Sequence, residues 1–323
     1  MNLNLDPIIG TLGPLYLMVV IGAVLKALGI LPAEVAPLIA RVVMTLTLPA
    51  LVFTSIRRAG TSNVPLTLDL LFKVPLIAYI IILVSGSLAW AVGRWLRLSR
   101  PQKGSLILAA MFGSTAFLGY PIMKALNGAK PQLLGDQGLA AHIIYSEIGT
   151  LLMLVTVGLA VASIYGEGGA FSWRNLLAVP RATPFIALMI GLLFYNDPGV
   201  PKVLTDLTQT MGDTTSFLMM LYLGMSIVGT GLVAYWPAIL ASQAIKLIVA
   251  PILSLVLLGV LQIGGNPDFL KAVVIDSSAP SILLCLAYAA QYKLDLRLAA
   301  ALVFSSFVFS LLTVAFWFAL VVR

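Results

Sequence analysis

Charge is what this chain has least of. Lys, Arg, Asp and Glu make up 10% of its 323 residues, against about 25% in a soluble domain. No polar stretch is long enough to build a soluble domain, which excludes a soluble enzyme held on a membrane anchor. Cysteine and histidine occur once each, so Cys285 has no internal disulfide partner and a zinc site cannot be assembled. There is no Walker A loop, no Gly-x-Ser-x-Gly elbow and no kinase signature, which argues against a primary pump or a hydrolase. The 19 Lys+Arg against 12 Asp+Glu leave a charge of +7, but the basic residues stand singly or in pairs. No clustered basic face exists for nucleic acid. The first eight residues carry no basic start or small-residue cleavage site, so no removable signal peptide is expected.

What fills the chain instead is apolar: 60% of it is hydrophobic and the mean hydropathy is +1.06. Unbroken runs such as 74–92 suit helices of roughly 20 apolar residues that cross a bilayer, not barrel strands of alternating polarity. Cutting at turn residues and charges predicts ten helices, at 9–28, 34–56, 72–95, 103–126, 137–165, 183–195, 202–232, 235–262, 269–292 and 296–322. The expectation is an all-α, multi-pass protein of the cell membrane, with no cofactor and the lipid bilayer as its surroundings. Leu31-Pro32 opens the second helix as Val200-Pro201 opens the seventh, an offset of 201 − 32 = 169. Gly119-Tyr120-Pro121 interrupts the fourth as Ala279-Pro280-Ser281 interrupts the ninth, an offset of 280 − 121 = 159. Two sets of five, each odd in number, insert in opposite orientations, which is an inverted repeat. The division is residues 1–165, a short loop at 166–181, and residues 182–323. Of the 19 basic residues, ten fall on one side and eight on the other, a small excess that favours termini outside the cell.

A proline within a span frees backbone carbonyls that protein, water or an ion must satisfy. Pro121 and Pro280 stand among small polar residues: Ser114, Thr115 and Gly119 before the first, Asp276, Ser277 and Ser278 before the second. A cradle for a substrate or ion is one reading and a packing kink the other; a pair in equivalent helices favours the cradle. Asp276 lies deep in the ninth span, where a carboxylate faces a cavity, a partner charge or a transported cation. It binds a coupling proton or sodium ion, or it pairs with Lys246 of the eighth span. On the fifth helix, His142 is a packing residue or a substrate ligand, and Glu147 is a second ionisable candidate; residues five apart do not share a narrow face. The second helix adds Thr47 and Pro49, and its repeat mate carries Asp213 at a helix end or cavity edge.

These residues resemble the auxin efflux carrier family, which contains the plant auxin exporters and bacterial malate and malonate permeases. The likeness rests on Thr47-Leu48-Pro49-Ala50-Leu51-Val52-Phe53, on Ser114-Thr115-Ala116-Phe117-Leu118-Gly119-Tyr120-Pro121 and on Leu223-Gly224-Met225. It continues through Ile245-Lys246-Leu247-Ile248-Val249-Ala250-Pro251 and through Pro280 followed by Ala289-Ala290-Gln291-Tyr292, so it is spread over nearly the whole chain. The resemblance implies ten spans with both termini outside, and a scaffold part beside a transport part in which the fourth and ninth helices cross at their prolines. It also implies a homodimer and elevator-like alternation of access. Ser114-Thr115 stands where the plant carriers show Asn-Thr, His142 and Asp276 where they carry glutamines, and Ala290 where a family lysine is expected. These departures favour cation coupling over auxin itself.

The expected function is secondary transport of a small organic anion, an auxin-like or dicarboxylic acid. Ser114, Thr115, Ser277 and Ser278 would hold its carboxylate, and Tyr120, Tyr145 and Phe53 would wall its apolar end. Coupling to H+ or Na+ would run through Asp276, with Glu147 and Lys246 as further candidates. The alternatives are a bile-acid/sodium-symporter-like protein, a cation/proton antiporter, or, from another class, a membrane-embedded receptor or enzyme.

Overall fold

Left-handed turns end four of the helices in the same way. Gly29, Arg97, Gln262 and Lys293 have φ of 70°, 53°, 56° and 55°. After each, an amide reaches back across the turn: Ile30 to Leu25, Leu98 to Gly93, Ile263 to Leu258 and Leu294 to Ala289, at 2.9–3.0 Å. This Schellman closure satisfies carbonyls that a helix end otherwise leaves unpaired. Arg97 and Gln262 are 262 − 97 = 165 apart, and the residues that start the next helices, Ser99 and Asn266, are 266 − 99 = 167 apart. Proline follows both starts, as Pro101 and Pro267. The Gln102 side chain accepts from the Ser99 amide at 3.0 Å. The Asn266 side chain accepts from Asp268 and Phe269 at 3.0 and 3.4 Å. The same helix–turn–cap unit therefore occurs twice, once in each half of the chain.

The computed structural model describes residues 6–32, 34–61, 69–119, 122, 123, 126, 134–166, 181, 183–195, 197, 199–227, 232–263 and 266–321. Among them it is helical, with one isolated antiparallel bridge. The helices are α1 (Asp6–Ala27), α2 (35–61), α3 (69–95), α4 (Arg100–Met111), α5 (136–165), α6 (Thr183–Leu193), α7 (Lys202–Ile227), α8 (232–260), α9 (Pro267–Ser277), α10 (Leu284–Gln291) and α11 (Leu296–Val321). Five runs are long and apolar enough to cross a bilayer: Val35–Arg57, Leu70–Trp95, Gln137–Tyr165, Val233–Val260 and Leu296–Val321. Tyr16–Ala27 and Thr183–Leu193 are apolar but shorter.

The expected fourth and ninth helices are each broken. α9 stops at Ser277, just before Pro280, where the sequence suggested. The fourth differs: α4 stops at Met111, and Phe112 is extended at φ −109°, ψ 132°. The break precedes Pro121 by several residues because Gly113, Ser114 and Thr115 are poor helix formers, and the Ser114 amide and the Thr115 hydroxyl bond elsewhere. Tyr120 and Pro121 lie outside the described residues, as do positions 167–180 of the loop expected between the halves.

Packing sorts the helices into two groups. α1 runs along α7 with backbone against backbone: a Cβ on Gly22 would collide with the Leu221 carbonyl, and one on Gly224 with the Val19 carbonyl. α2 packs on α6 and α7. In the other group α4 lies against α3, α5 and α11, α9 against α5, α8 and α11, and α10 against α11. The groups meet where α7 touches α11, where α2 touches α5 and α10, and where α6 touches α5. There Tyr16 of α1 donates to the Phe307 carbonyl at 2.7 Å. Large side chains such as Leu17, Leu312 and Val233 point outward, the surface that a lipid environment demands.

Candidate functional site

The two broken helices meet backbone to backbone. Gly113 pairs with Ser281 in the antiparallel bridge. The Ser114 amide donates to the Pro280 carbonyl at 2.7 Å, and the Ile282 amide to the Phe112 carbonyl at 2.9 Å. The exchange is symmetric about the 113/281 pair, whose separation of 281 − 113 = 168 nearly matches the 169 between Pro32 and Pro201. A third amide, Ser281 N–H, donates to Ser306 Oγ of α11 at 2.8 Å. Buried backbone groups that helix geometry abandons are thus largely recovered across the crossing.

Side chains gather round this point on loosened helices. After the break, Thr115–Gly119 forms a π-helical turn, closed by the Gly119 amide on the Ser114 carbonyl at 3.2 Å. α5 is π-helical over Tyr145–Leu151, and α8 over Ile245–Val249. Such turns re-aim the side chains around them and are frequent at functional sites. On α5, His142 Nδ1 approaches Asp276 Oδ1 and Oδ2 at 2.8 and 3.0 Å, and both side chains are buried. The ring nitrogen and the carboxyl group share one hydrogen across this short contact. Lys246, 3% exposed on the π turn of α8, donates from Nζ to the Ser277 carbonyl at 3.1 Å. It also reaches Gly113, where a Cβ would stand 2.9 Å from Nζ.

Asp276 therefore has His142 as its hydrogen-bond partner, while Lys246, the other partner the sequence allows, spans from the end of α9 to the bridge. Gly119 sits against the pair: a Cβ there would lie 3.1 Å from both Asp276 Oδ1 and His142 Cε1. Ser277 Oγ bonds Ser254 Oγ at 3.0 Å and the Val274 carbonyl at 2.9 Å, and Ser278 Oγ bonds the Ile275 carbonyl at 2.8 Å. Both hydroxyls are engaged within the protein. Thr115 Oγ1 donates to Ser146 Oγ at 3.0 Å. Among the described residues, the hydroxyls of Ser114 and Ser281 have no hydrogen-bond partner although both residues are fully buried. Tyr145 is buried beside Asp276, and Glu147 is buried on the same π-helical stretch. Pro49 is half-buried on the part of α2 that packs against 145–151.

Of the residues expected to form the site, Ser114, Gly119, His142, Lys246, Asp276, Ser277 and Pro280 come together at the crossing. Gly113 and Ser281, the bridge itself, and Ser306, which caps it, were not among them. Their trace in the sequence is the 168-residue spacing and the Ser306/Ser310 pair one helical turn apart. A cavity with room for about one water lies beside the crossing, bordered by Gly119, Ala279, Pro280 and Ser310.

Two archaeal proteins are similar to this chain over nearly its whole length. An uncharacterized transporter of Methanocaldococcus jannaschii is 27% identical over 306 residues, 93% of this chain and 94% of that protein. One from Methanothermobacter thermautotrophicus is 28% identical over 307 residues, with 93% and 94% covered. The profile of the membrane transport protein family matches residues 7–171 and again 168–318. The chain is thus a multi-pass membrane protein that belongs to the membrane transport protein family, the auxin efflux carrier family its motifs resemble.

Proposed function

We propose that the protein is a secondary transporter of a small organic anion and that the crossing of the two broken helices is its binding site. One observation carries the reading: a buried ammonium, Lys246, and two buried hydroxyls without partners, Ser114 and Ser281, converge where helical backbone is interrupted. Polar groups held at such depth in a membrane protein mark a transport path. Charge-assisted hydrogen bonds from an ammonium suit a carboxylate. The nearby Lys246 ammonium counters the Asp276 charge that would otherwise repel an anion. In this reading α4 with the turn after it, and α9 with α10, each count as one span of a ten-span inverted repeat. The group α1, α2, α6 and α7 is the scaffold of a homodimer in the cell membrane, with both termini outside. The remaining helices move as the transport part. A coupled H+ or Na+ acts through Asp276.

Purified protein in proteoliposomes, offered labelled indole-3-acetate, malate, malonate and a bile acid in turn, tests this. Saturable uptake of one carboxylate beyond that of protein-free vesicles is expected. Sodium or proton fluxes with no organic substrate would replace the reading with cation/proton antiport.

A further inference from the structure

We propose that the groove between α8 and α11 binds one anionic phospholipid of the bilayer, with its acyl chain in the groove and its phosphate at Arg297. The proposal rests on the chain spanning a membrane and is independent of what the crossing carries.

The internal repeat shows that the charge at one end of the molecule is not demanded by the fold. The turn between α3 and α4 and the turn between α8 and α9 close on the same left-handed residue and the same amide-to-carbonyl bond. Aligned at the 262 − 97 = 165 separation of Arg97 and Gln262, they occupy 93–105 and 258–270. The first window holds Arg94, Arg97, Arg100 and Lys103 and no acid; the second holds no Lys or Arg and one acid, Asp268. One backbone accepts both sequences. Arg100 has a structural use, since its Nε donates to the Ile164 carbonyl at 3.1 Å, but Arg94 and Arg97 are exposed.

The start of α11 joins the same end. The Asp295 amide reaches the Pro101 carbonyl at 3.5 Å, and the Asp295 carbonyl accepts from Ser105 Oγ at 2.8 Å. This adds Lys293 and Arg297, both exposed, in a grouping that only the fold assembles. The Asp295 carboxylate is engaged as a cap, accepting from the Leu298 amide at 2.9 Å. Where spans end, the anions at hand are lipid headgroups.

Beside this end the surface is apolar and concave. Val233 and Trp236 of α8 and Phe304, Val308 and Phe309 of α11 border a groove of about 230 Å³. The hydroxyl of Ser305, which also lines it, is bonded to the Leu302 carbonyl and the Gln243 side-chain amide. Val233 and Trp236 are exposed, so the groove opens outward to lipid. Arg297 lies on the stripe of α11 that carries Phe304 and Val308, seven and eleven residues on, which are therefore about 10 and 16 Å from it along the axis. Half the hydrocarbon thickness is about 15 Å. A phosphate resting on Arg297 thus lays its acyl chain along the groove within one leaflet. Tyr235 is within electrostatic reach of Arg297, which sets the start of α8 and its aromatic pair, Tyr235 and Trp236, at the headgroup level, where such rings belong.

The groove alone does not choose its lipid, because the competing surroundings are chains as apolar as itself. Selection falls to the headgroup. One basic residue beside an anionic headgroup favours it about fivefold, so that factor is expected from Arg297.

Brominated acyl chains quench a tryptophan they touch, and Trp236 borders the groove. In phosphatidylcholine nanodiscs, a small fixed fraction of brominated lipid is supplied as phosphatidylglycerol or as phosphatidylcholine. The Trp236 signal is the difference between wild type and Trp236→Phe. Brominated phosphatidylglycerol is expected to occupy the groove about fivefold more than brominated phosphatidylcholine at equal mole fraction. The excess should vanish in Arg297→Gln, shrink in high salt and persist in Lys271→Gln, which lies in α9 beyond the uncharged turn. Native mass spectrometry of the wild-type protein released from mixed nanodiscs should show phosphatidylglycerol retained in preference to phosphatidylcholine, and no variant enters that readout.

Equal quenching and equal retention of the two lipids would mean bulk lipid only and would overturn the proposal, leaving the basic residues to orient the chain. A preference lost in the double variant Arg94→Gln, Arg97→Gln but kept in Arg297→Gln would move the headgroup to the turn between α3 and α4, and would overturn it too.

Discussion

At the scale of single residues, the proposed anion site turns on Lys246. Its ammonium is buried, donates to the Ser277 carbonyl and stands over Gly113. Lys246→Met keeps the length and removes the charge and donor. Hydrogen bonds to charged groups contribute about 1.5–3 kcal/mol, so the half-saturating carboxylate concentration should rise at least about tenfold while the protein still folds. Concentration dependence of uptake checks this, and an unchanged value would show that Lys246 is structural. The sequence revealed that Asp276, His142 and Lys246 were exceptional, because charge at the depth of a span is rare. It did not reveal who pairs with whom. His142 and Asp276 are 134 residues apart, and only the packing of α9 on α5 brings them together. Ser277 and Ser278 were expected to hold substrate, but their hydroxyls bond back into the protein, as serine beside a helix end often does.

At the scale of elements, the crossing depends on partners for amides that leave helical geometry. Ser306 Oγ is the acceptor for the Ser281 amide, and both residues are fully buried. Ser306→Ala leaves that N–H unsatisfied, which costs about 1–3 kcal/mol. A fall of several degrees in the melting temperature of the purified protein is expected, with Ser305→Ala on the same helix having a smaller effect; equal melting temperatures would remove Ser306 from this role. Helix ends were largely legible from sequence, because Gly, Pro, Asn and Ser mark them by known chemistry. Thus α3 and α5 end where expected, at Trp95 and Tyr165. Proline marks an interruption at Pro121, outside the described residues, whereas Gly113-Ser114-Thr115 already ends the helix earlier and is held open by Pro280 and Ile282 across the crossing. That partnership is tertiary, so no local pattern announces it. The π turns carrying Tyr145 and Lys246 were likewise invisible, since helical periodicity hardly changes over one widened turn.

At the scale of the whole molecule, an internal repeat underlies the proposed mechanism. The repeated caps at Arg97 and Gln262, the symmetric bridge and the two family matches point to halves of common design. One group of helices is locked by the close approach of Gly22 and Gly224. The other carries the crossing, and the contacts between groups include a few specific bonds such as Tyr16 to Phe307. If the second group moves against the first, the crossing must open to each side in turn. Ser281 is the place to ask, because its hydroxyl is buried and has no partner, and the native thiol, Cys285, is buried as well. In a Cys285→Ala background, Ser281→Cys in proteoliposomes should react with membrane-impermeant thiol reagents added to either side, and a transported carboxylate should slow both reactions. Reaction from one side only, at a rate indifferent to every carboxylate that is carried, would contradict alternating access at the crossing.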